Sequence, residues 1–267
     1  MQLRNQFSAM NNRSMLLPAL FFFSLTASGQ QSPIPSTVPL TLAITYYAQP
    51  GNRVALRDSI THSGLRQFES WKAEGLLRDY RVLFSSYLDT DTPTMILVLD
   101  FTGPAAAKRW MSIENSTPAG LSHESLSRIT SAQTAQMDHT FHGGLPSSPR
   151  RGESVFMVIP YEFYVPAPEY TKYMQDYGVP QFEGWLKENV LASYDVYQSR
   201  YSASKPWGSL IVFEYRNAEA LGQRESIMEK VRTNLQNNPT WKSLAETKAK
   251  IRLEREAFIA QELRVAP

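Results

Sequence analysis

The sequence predicts an α+β protein in which one β-α-β-β-α-β unit is used twice. Three observations carry that prediction. The chain repeats itself at a shift of 114 residues. Each copy sets β-rich runs and amphipathic helical stretches in the same order. The composition, 267 residues with 42% hydrophobic and 19% charged, is that of a globular chain able to bury a core without staples.

Under the shift, residues 64–101 fall on residues 178–215 without a gap, and 12 of the 38 positions are identical. Among them are Gly64 and Gly178, Phe68 and Phe182, Glu69 and Glu183, Trp71 and Trp185, Tyr80 and Tyr194, and Tyr87 and Tyr201. Unrelated segments of ordinary usage match at about one position in sixteen. The repeat is therefore a duplication.

Residues 40–48 (LTLAITYYA) and 154–165 (SVFMVIPYEFYV) are rich in β-formers and read as strands. A helix follows in each copy. Leu56, Ile60, Gly64, Phe68 and Trp71 share one face at spacings of three and four, as do Tyr170, Met174, Gly178, Phe182 and Trp185. Phe68, Trp71, Phe182 and Trp185 at that spacing are core. Gly64 and Gly178 lie on the same stripe and are expected to let helix and sheet approach closely, or in copy two to mark a break. Pro180 predicts that break after Tyr177 or Gly178, with the proline opening a second helical piece. Long strands come next (77–88; 191–203), then turns, second strands (94–102; 207–215) and second helices from Pro104 and Ala218. Copy two ends with a helix over 241–253 and a closing strand over 256–265. The end of copy one is less regular: residues 122–144 carry polar, helix-like text, and a closing strand is expected near 136–141.

The β-α-β-β-α-β order is the ferredoxin-like unit. Its sheet has helices on one face and leaves the other bare, and a bare face rich in aromatics does not stay in water. Two such units packed sheet to sheet bury both faces. The chain thus resembles the dimeric α+β-barrel superfamily, with the dimer fused into one chain. The resemblance is one of architecture over nearly all of residues 40–265, and no family-specific catalytic motif accompanies it. It implies several activities at once: cofactor-free monooxygenases, haem-degrading enzymes, haem-bearing chlorite dismutases and stress proteins all share the fold, so fold leaves function open.

Five segments are expected: a signal peptide (1–29), a Pro/Ser-rich tether (30–39), a first module (40–144), a linker (145–153) and a second module (154–267). Arg4 and Arg13 precede a twelve-residue apolar run over 14–25, too short to span a bilayer, and Ala27 and Gly29 suit cleavage before Gln30. The protein is expected to be exported, periplasmic or extracellular, with no stable membrane insertion after cleavage. There are 27 Lys and Arg against 25 Asp and Glu, and the two excess positives lie in the leader. The remainder is neutral, so nucleic acid is not an expected partner. The absence of cysteine excludes thiol nucleophiles, disulfides and Cys-ligated metals.

The four histidines, His62, His123, His139 and His142, all lie in copy one. The chlorite-dismutase resemblance would place a haem-bearing histidine in copy two, which has none. His139 and His142, three apart, fall on opposite faces of a regular strand. With no third ligand nearby in sequence, no metal is expected, and no motif calls for a cofactor. The paired acids, Glu69 with Glu183, Glu74 with Glu188, and Asp100 with Glu214, read as solvated or strand-end charges. Alternation on the long strands sets Tyr80, Val82 and Phe84 against Arg81, Leu83, Ser85 and Tyr87, and repeats this as Tyr194, Val196 and Gln198 against Asp195, Tyr197, Ser199 and Tyr201. The face holding Ser85, Tyr87, Tyr197, Ser199 and Tyr201 mixes apolar bodies with hydroxyl tips, as a small-molecule pocket does. The expected function is an exported, non-catalytic protein that binds a small apolar or aromatic ligand in its barrel. The alternatives are a monooxygenase-like or haem-handling enzyme, and an interaction protein with a filled barrel. Whether two chains associate further stays open.

Overall fold

Alternating apolar residues lay down two four-stranded antiparallel sheets whose edges join. The structure is a computed structural model and describes residues 40–144, 153–202, 205 and 207–265. The expected signal peptide and tether, and all but the last residue of the linker, lie outside the described residues. In copy one the elements are β1 (Thr41–Ala48), α1 (Arg53–Ser59), a π-helical turn (Ile60–Gly64), α2 (Leu65–Ala73), β2 (Leu77–Ser85), β3 (Met95–Phe101), α3 (Pro104–Ser116), a short α4 (His123–Leu126) and β4 (Ile129–Gly144). Copy two has β5 (Val155–Phe163), α5 (Ala167–Tyr173), a second π turn (Met174–Gly178), α6 (Val179–Lys187), β6 (Leu191–Ser199), β7 (Ser209–Tyr215), α7 (Ala218–Gly222), α8 (Arg224–Leu235), α9 (Pro239–Ile251), β8 (Arg252–Glu254) and β9 (Phe258–Leu263).

The sheet order is β4-β1-β3-β2 in copy one and β9-β5-β7-β6 in copy two. Two further pairings, β2 with β9 and β4 with β6, join the copies, so the eight strands close into a ring, with β8 extending the edge of β5. The modules therefore meet through hydrogen-bonded edges as well as faces, and closure removes the exposed edges that a free sheet would carry. Every neighbouring pair is antiparallel. Equivalent strands sit four places apart around the ring, so they run the same way. A half-turn about the barrel axis therefore relates the two copies.

The repeat holds at the level of packing. Phe68 lies 5.7 Å from Trp71 and 5.4 Å from Tyr80, and Phe182 lies 5.5 Å from Trp185 and 5.2 Å from Tyr194, ring centre to ring centre. The Tyr80 and Tyr194 hydroxyls each donate to the equivalent glutamate, Glu69 and Glu183, at 2.7 Å. The other acids are also partnered. Glu74 pairs with Arg109, Glu188 with Lys230, and Asp100 and Glu214 accept from Thr41 and from Ser154 and Ser193. Gly75 ends α2 at φ 72°, and its mate Asn189 does the same for α6 at φ 60°, the left-handed cap that glycine and asparagine tolerate best.

Three sequence expectations need correcting. Pro180 does not break its helix. The backbone passes through the π turn into α6, with the proline in the first turn, where no N–H is required. Copy one makes the same π turn with Arg66 at that position, so packing rather than the proline sets it. Gly64 and Gly178 do not serve a helix–sheet contact. A Cβ on Gly178 would fall 2.5 Å from Met174 Cε, and one on Gly64 would fall 3.2 Å from Ile60 Cδ1, so the glycines make room for the residue four earlier on the same helix. The end of copy one is a sixteen-residue strand, β4, rather than a short one. Its polar text reflects a strand whose first half pairs with β1 while much of its surface faces water.

Candidate functional site

Alternation along β2 and β6 fills the barrel. Leu83, Ile96, Val98, Met137, Phe156, Val158, Tyr197, Trp207 and Leu210, from both copies, form one buried cluster on the inner face. Ser85 and Ser199 are buried on that face too. Tyr87 and Tyr201 are not. They lie past the ends of β2 and β6, 69% and 68% exposed, where the strand period no longer decides which way a side chain points. The face proposed from sequence is thus split: Ser85, Tyr197 and Ser199 go into the barrel and the two distal tyrosines into solvent. At the Ser85 end, an open depression of about 440 Å³ reaches Ile96 and Trp207.

A charged centre lies deeper along the same inner face. Arg81 and Asp195 are separated by 114 residues, the repeat length, and Arg81 Nη1 donates to Asp195 Oδ2 at 2.6 Å. Equivalent positions meet across the barrel, so the pseudo-twofold axis runs through this ion pair. Arg81 also lies 3.5 Å from Glu262. The other oxygen of Asp195 takes two contacts, from His139 Nε2 at 2.9 Å and His142 Nδ1 at 2.8 Å. Burial by itself would raise the Asp195 pKa. The two imidazole hydrogen bonds and the Arg81 charge outweigh it and hold the carboxyl well below the usual carboxylate range. The hydrogen bond to Asp195 raises the His142 pKa, and burial beside Asp195 raises that of the Tyr197 phenol.

The histidines meet here because β4 is not regular. Its register against β6 slips between His139 and Phe141, leaving Thr140 as the extra residue of a β-bulge. The bulge changes a spacing of three into an effective two, so both rings reach the same side. Among the described residues, His139, His142 and Asp195 are the group whose donor atoms converge, all within 4.8 Å of one another. The sequence argument had found no third ligand because the third comes from the other copy. One signal was legible: at a repeat-equivalent position the two copies carry opposite charges.

A second feature lies outside the barrel, between the copy-two sheet and its helices. A cavity of about 270 Å³ has Ile159, Tyr161, Phe182, Trp185 and Phe213 on its apolar side and Arg224, Arg232, Lys248 and Arg252 on its polar side. β8 carries Arg252 there. Its guanidinium lies 4.0 Å from the Tyr161 ring centre and 5.4 Å from that of Tyr173, with no carboxylate in ion-pair range among the described residues. Glu254, the one acid in the lining, accepts from the Tyr161 hydroxyl at 2.8 Å. In copy one a tryptophan fills the matching place. The position 114 residues before Arg224 is Trp110, buried and edge-on to Trp71 at 5.2 Å. Two differences accompany this: Trp110 stands where copy two has Arg224, and copy two adds α9 and β8, which bring Lys248 and Arg252 to the cavity.

The sequence matches no protein-family model and no curated protein. Solved structures do resemble the chain. An anthrone oxidase-like protein matches with TM-score 0.53 and 11% identity over 85% of this chain and 92% of its own. A candidate monooxygenase from Lactobacillus acidophilus NCFM matches with TM-score 0.51 and 10% identity over 84% and 94%. A third, a candidate monooxygenase from Fusobacterium nucleatum, matches with TM-score 0.50 and 13% identity over 85% and 94%. The fold is a dimeric α+β barrel with both halves in one chain. These barrels span nearly the whole of each neighbour, so the fused architecture is shared and not an accretion of this chain.

Haem, which the resemblance seen in the sequence raised as a candidate, does not suit the copy-two cavity. Its lining offers no imidazole, thiolate or thioether, and no histidine follows His142 in the sequence. The Tyr161 hydroxyl is engaged by Glu254, and burial pushes its pKa up, away from the phenolate that would ligate iron. The volume lies just below the ~300–1,000 Å³ typical of pockets for drug-sized ligands.

Proposed function

We propose that the chain is an oxygenase-type enzyme whose substrate is a small acidic molecule with an aromatic body, bound in the copy-two cavity. The observation that carries this reading is Arg252, a largely buried guanidinium held by tyrosine rings and left without a carboxylate. A buried cation without a counter-ion is costly, and a bound anion relieves the cost. Arg232, which also donates to Gln181, and Lys248 add charge to the lining, Arg224 stands there paired with Glu225, and Trp185, Phe182 and Phe213 offer flat apolar walls. The same cations favour the anion of an ionisable phenol or enol, which is the electron-rich form that gives an electron to dioxygen. The descriptions of the barrel's structural neighbours, an anthrone oxidase-like protein and two candidate monooxygenases, support the same class.

The test is a panel of hydroxyaromatic and anthrone-type compounds, read by thermal melting and by an oxygen electrode. A cavity ligand at a hundredfold its Kd adds ~2.7 kcal/mol, or roughly 5–10 °C for a chain of this size. Oxygen uptake should depend on the protein, and both signals should vanish in Arg252→Met and in Arg224→Trp, which copies the plug of copy one. Stabilisation without uptake would return the chain to the non-catalytic binding class. Binding untouched by either substitution would contradict the cavity.

Export belongs to the same proposal. The apolar run and the small residues before Gln30 support cleavage there. The intact mass of protein recovered from the envelope or medium should correspond to a chain beginning at Gln30, and a cytoplasmic species retaining residues 1–29 would contradict it.

A further inference from the structure

We propose that His139, His142 and Asp195 form a binding site for a divalent transition metal at the seam between the two copies. This site is separate from the copy-two cavity and independent of the reading given to it.

The spacing of the donor atoms carries the inference. Donor atoms of one zinc ion, each about 2.0–2.1 Å from it, lie roughly 3.3 Å apart, and the three donor atoms here already lie within 4.8 Å of one another. His139 Nε2 and His142 Nδ1 stand 2.9 and 2.8 Å from the same oxygen, Asp195 Oδ1. In the metal-free chain, that oxygen accepts an N–H from each ring. When an ion binds, each ring moves its proton to the other nitrogen, or releases one if it carried two, and a small swing turns the freed lone pairs from the oxygen onto an ion seated beside it. Two imidazoles and one carboxylate suit zinc, iron(II), cobalt(II) or nickel(II) better than magnesium or calcium, which prefer all-oxygen ligands.

The surroundings hold the donors in place. Arg81 takes the other oxygen, Asp195 Oδ2, so the carboxylate presents a single oxygen in a fixed direction. The His139 ring stacks on Tyr197, centres 4.6 Å apart and planes 24° apart. Both histidines stand on β4 and Asp195 on β6, two hydrogen-bonded strands rather than loops. The bulge at Thr140 is what brings the rings to one side, and bulges commonly re-aim side chains at functional positions. The charge balance also allows an ion. Arg81 opposes a cation, but Asp195, Glu262, Arg81 and Arg264, linked by ion pairs, sum to zero, so the cluster carries no net positive charge against the ion.

The site is open. The His142 side chain is 60% exposed and that of His139 28%, whereas Asp195 is buried. Three protein ligands on a solvent-facing ion leave positions for water or a second molecule, unlike a closed structural site of four ligands. Neither copy could form the site alone, since two ligands come from copy one and the third from copy two.

The experiment is titration of the full, tag-free, chelator-treated chain with zinc(II) by calorimetry and with cobalt(II) by visible absorption. The expected result is one ion per chain, with a cobalt spectrum showing nitrogen and oxygen ligands. His142→Ala removes a mostly exposed ligand without disturbing the core, and should weaken binding at least tenfold. His62→Ala and His123→Ala should leave it unchanged. Asp195→Asn should abolish binding, and its circular dichroism shows whether it has folded. If it has not, His142→Ala and His139→Ala decide the matter. Absence of stoichiometric binding, or binding that survives His142→Ala and His139→Ala, would overturn the proposal.

Discussion

Arg81→Met is expected to lose ~3–5 kcal/mol in urea unfolding, because it strands a buried carboxylate on the barrel axis. Asp195 is 3% exposed and its charge is held by three partners. The two histidines stay behind after the substitution, but their contacts reach only Oδ1 and leave Oδ2, the oxygen that Arg81 held, without its partner. The double variant Arg81→Met/Asp195→Leu should recover most of the loss, since apolar replacement of a whole buried pair is often neutral or better. The cycle formed by the four proteins then isolates the coupling between the two positions. A loss below about 1 kcal/mol for Arg81→Met would mean that the pair is solvated and that the axis does not pass through a dry centre.

The same pair shows what fusion makes possible. In a symmetric homodimer of such units, the residue at this position meets its own copy across the axis, and a charge there meets a like charge. Two copies in one chain can differ, so one became Arg81 and the other Asp195. Trp110 and Arg224 record the same freedom outside the barrel. One module kept a packed core while the other opened a cationic cavity.

Much of the fold was legible because it is written in periodicity. The strand runs, the helical stripe ending in Trp71 and Trp185, and the inner and outer faces of β2 and β6 follow from spacings of two and of three to four. The duplication was legible because the register is gapless. What was not legible depends on departures from regularity. The π turns add a residue to each first helix while keeping Phe68 and Phe182 on the sheet, and they carry Pro180 without a break. The Thr140 bulge moves His142 to the side of His139, and a strand rule applied to the bare sequence puts them on opposite faces. The contacts of Asp195 with Arg81 and the histidines are long-range, and Arg252 reaches its cavity on a three-residue strand whose partner, β5, lies some ninety residues earlier. Tyr87 and Tyr201 leave the inner face for a simpler reason: the strand period ends at the last paired residues, Ser85 and Ser199.

The two copies complete one barrel, and separating them tests this most directly. Residues 40–144 alone would expose Leu83, Ile96, Val98 and Met137, together with the free edges of β2 and β4. Residues 153–267 alone would expose Phe156, Val158, Tyr197, Trp207 and Leu210 and the edges of β6 and β9. Each large apolar side chain lost from burial costs ~1.5–3 kcal/mol, so either set rivals the ~5–15 kcal/mol stability of a whole domain. Covalent linkage supplies the partner without the entropy cost of association. The halves, produced separately and followed by light scattering and a hydrophobic dye, should self-associate and bind dye, then recombine on mixing into a dye-negative one-to-one species. Two compact, dye-negative monomers that ignore each other would contradict the barrel, and with it the charged centre at its seam.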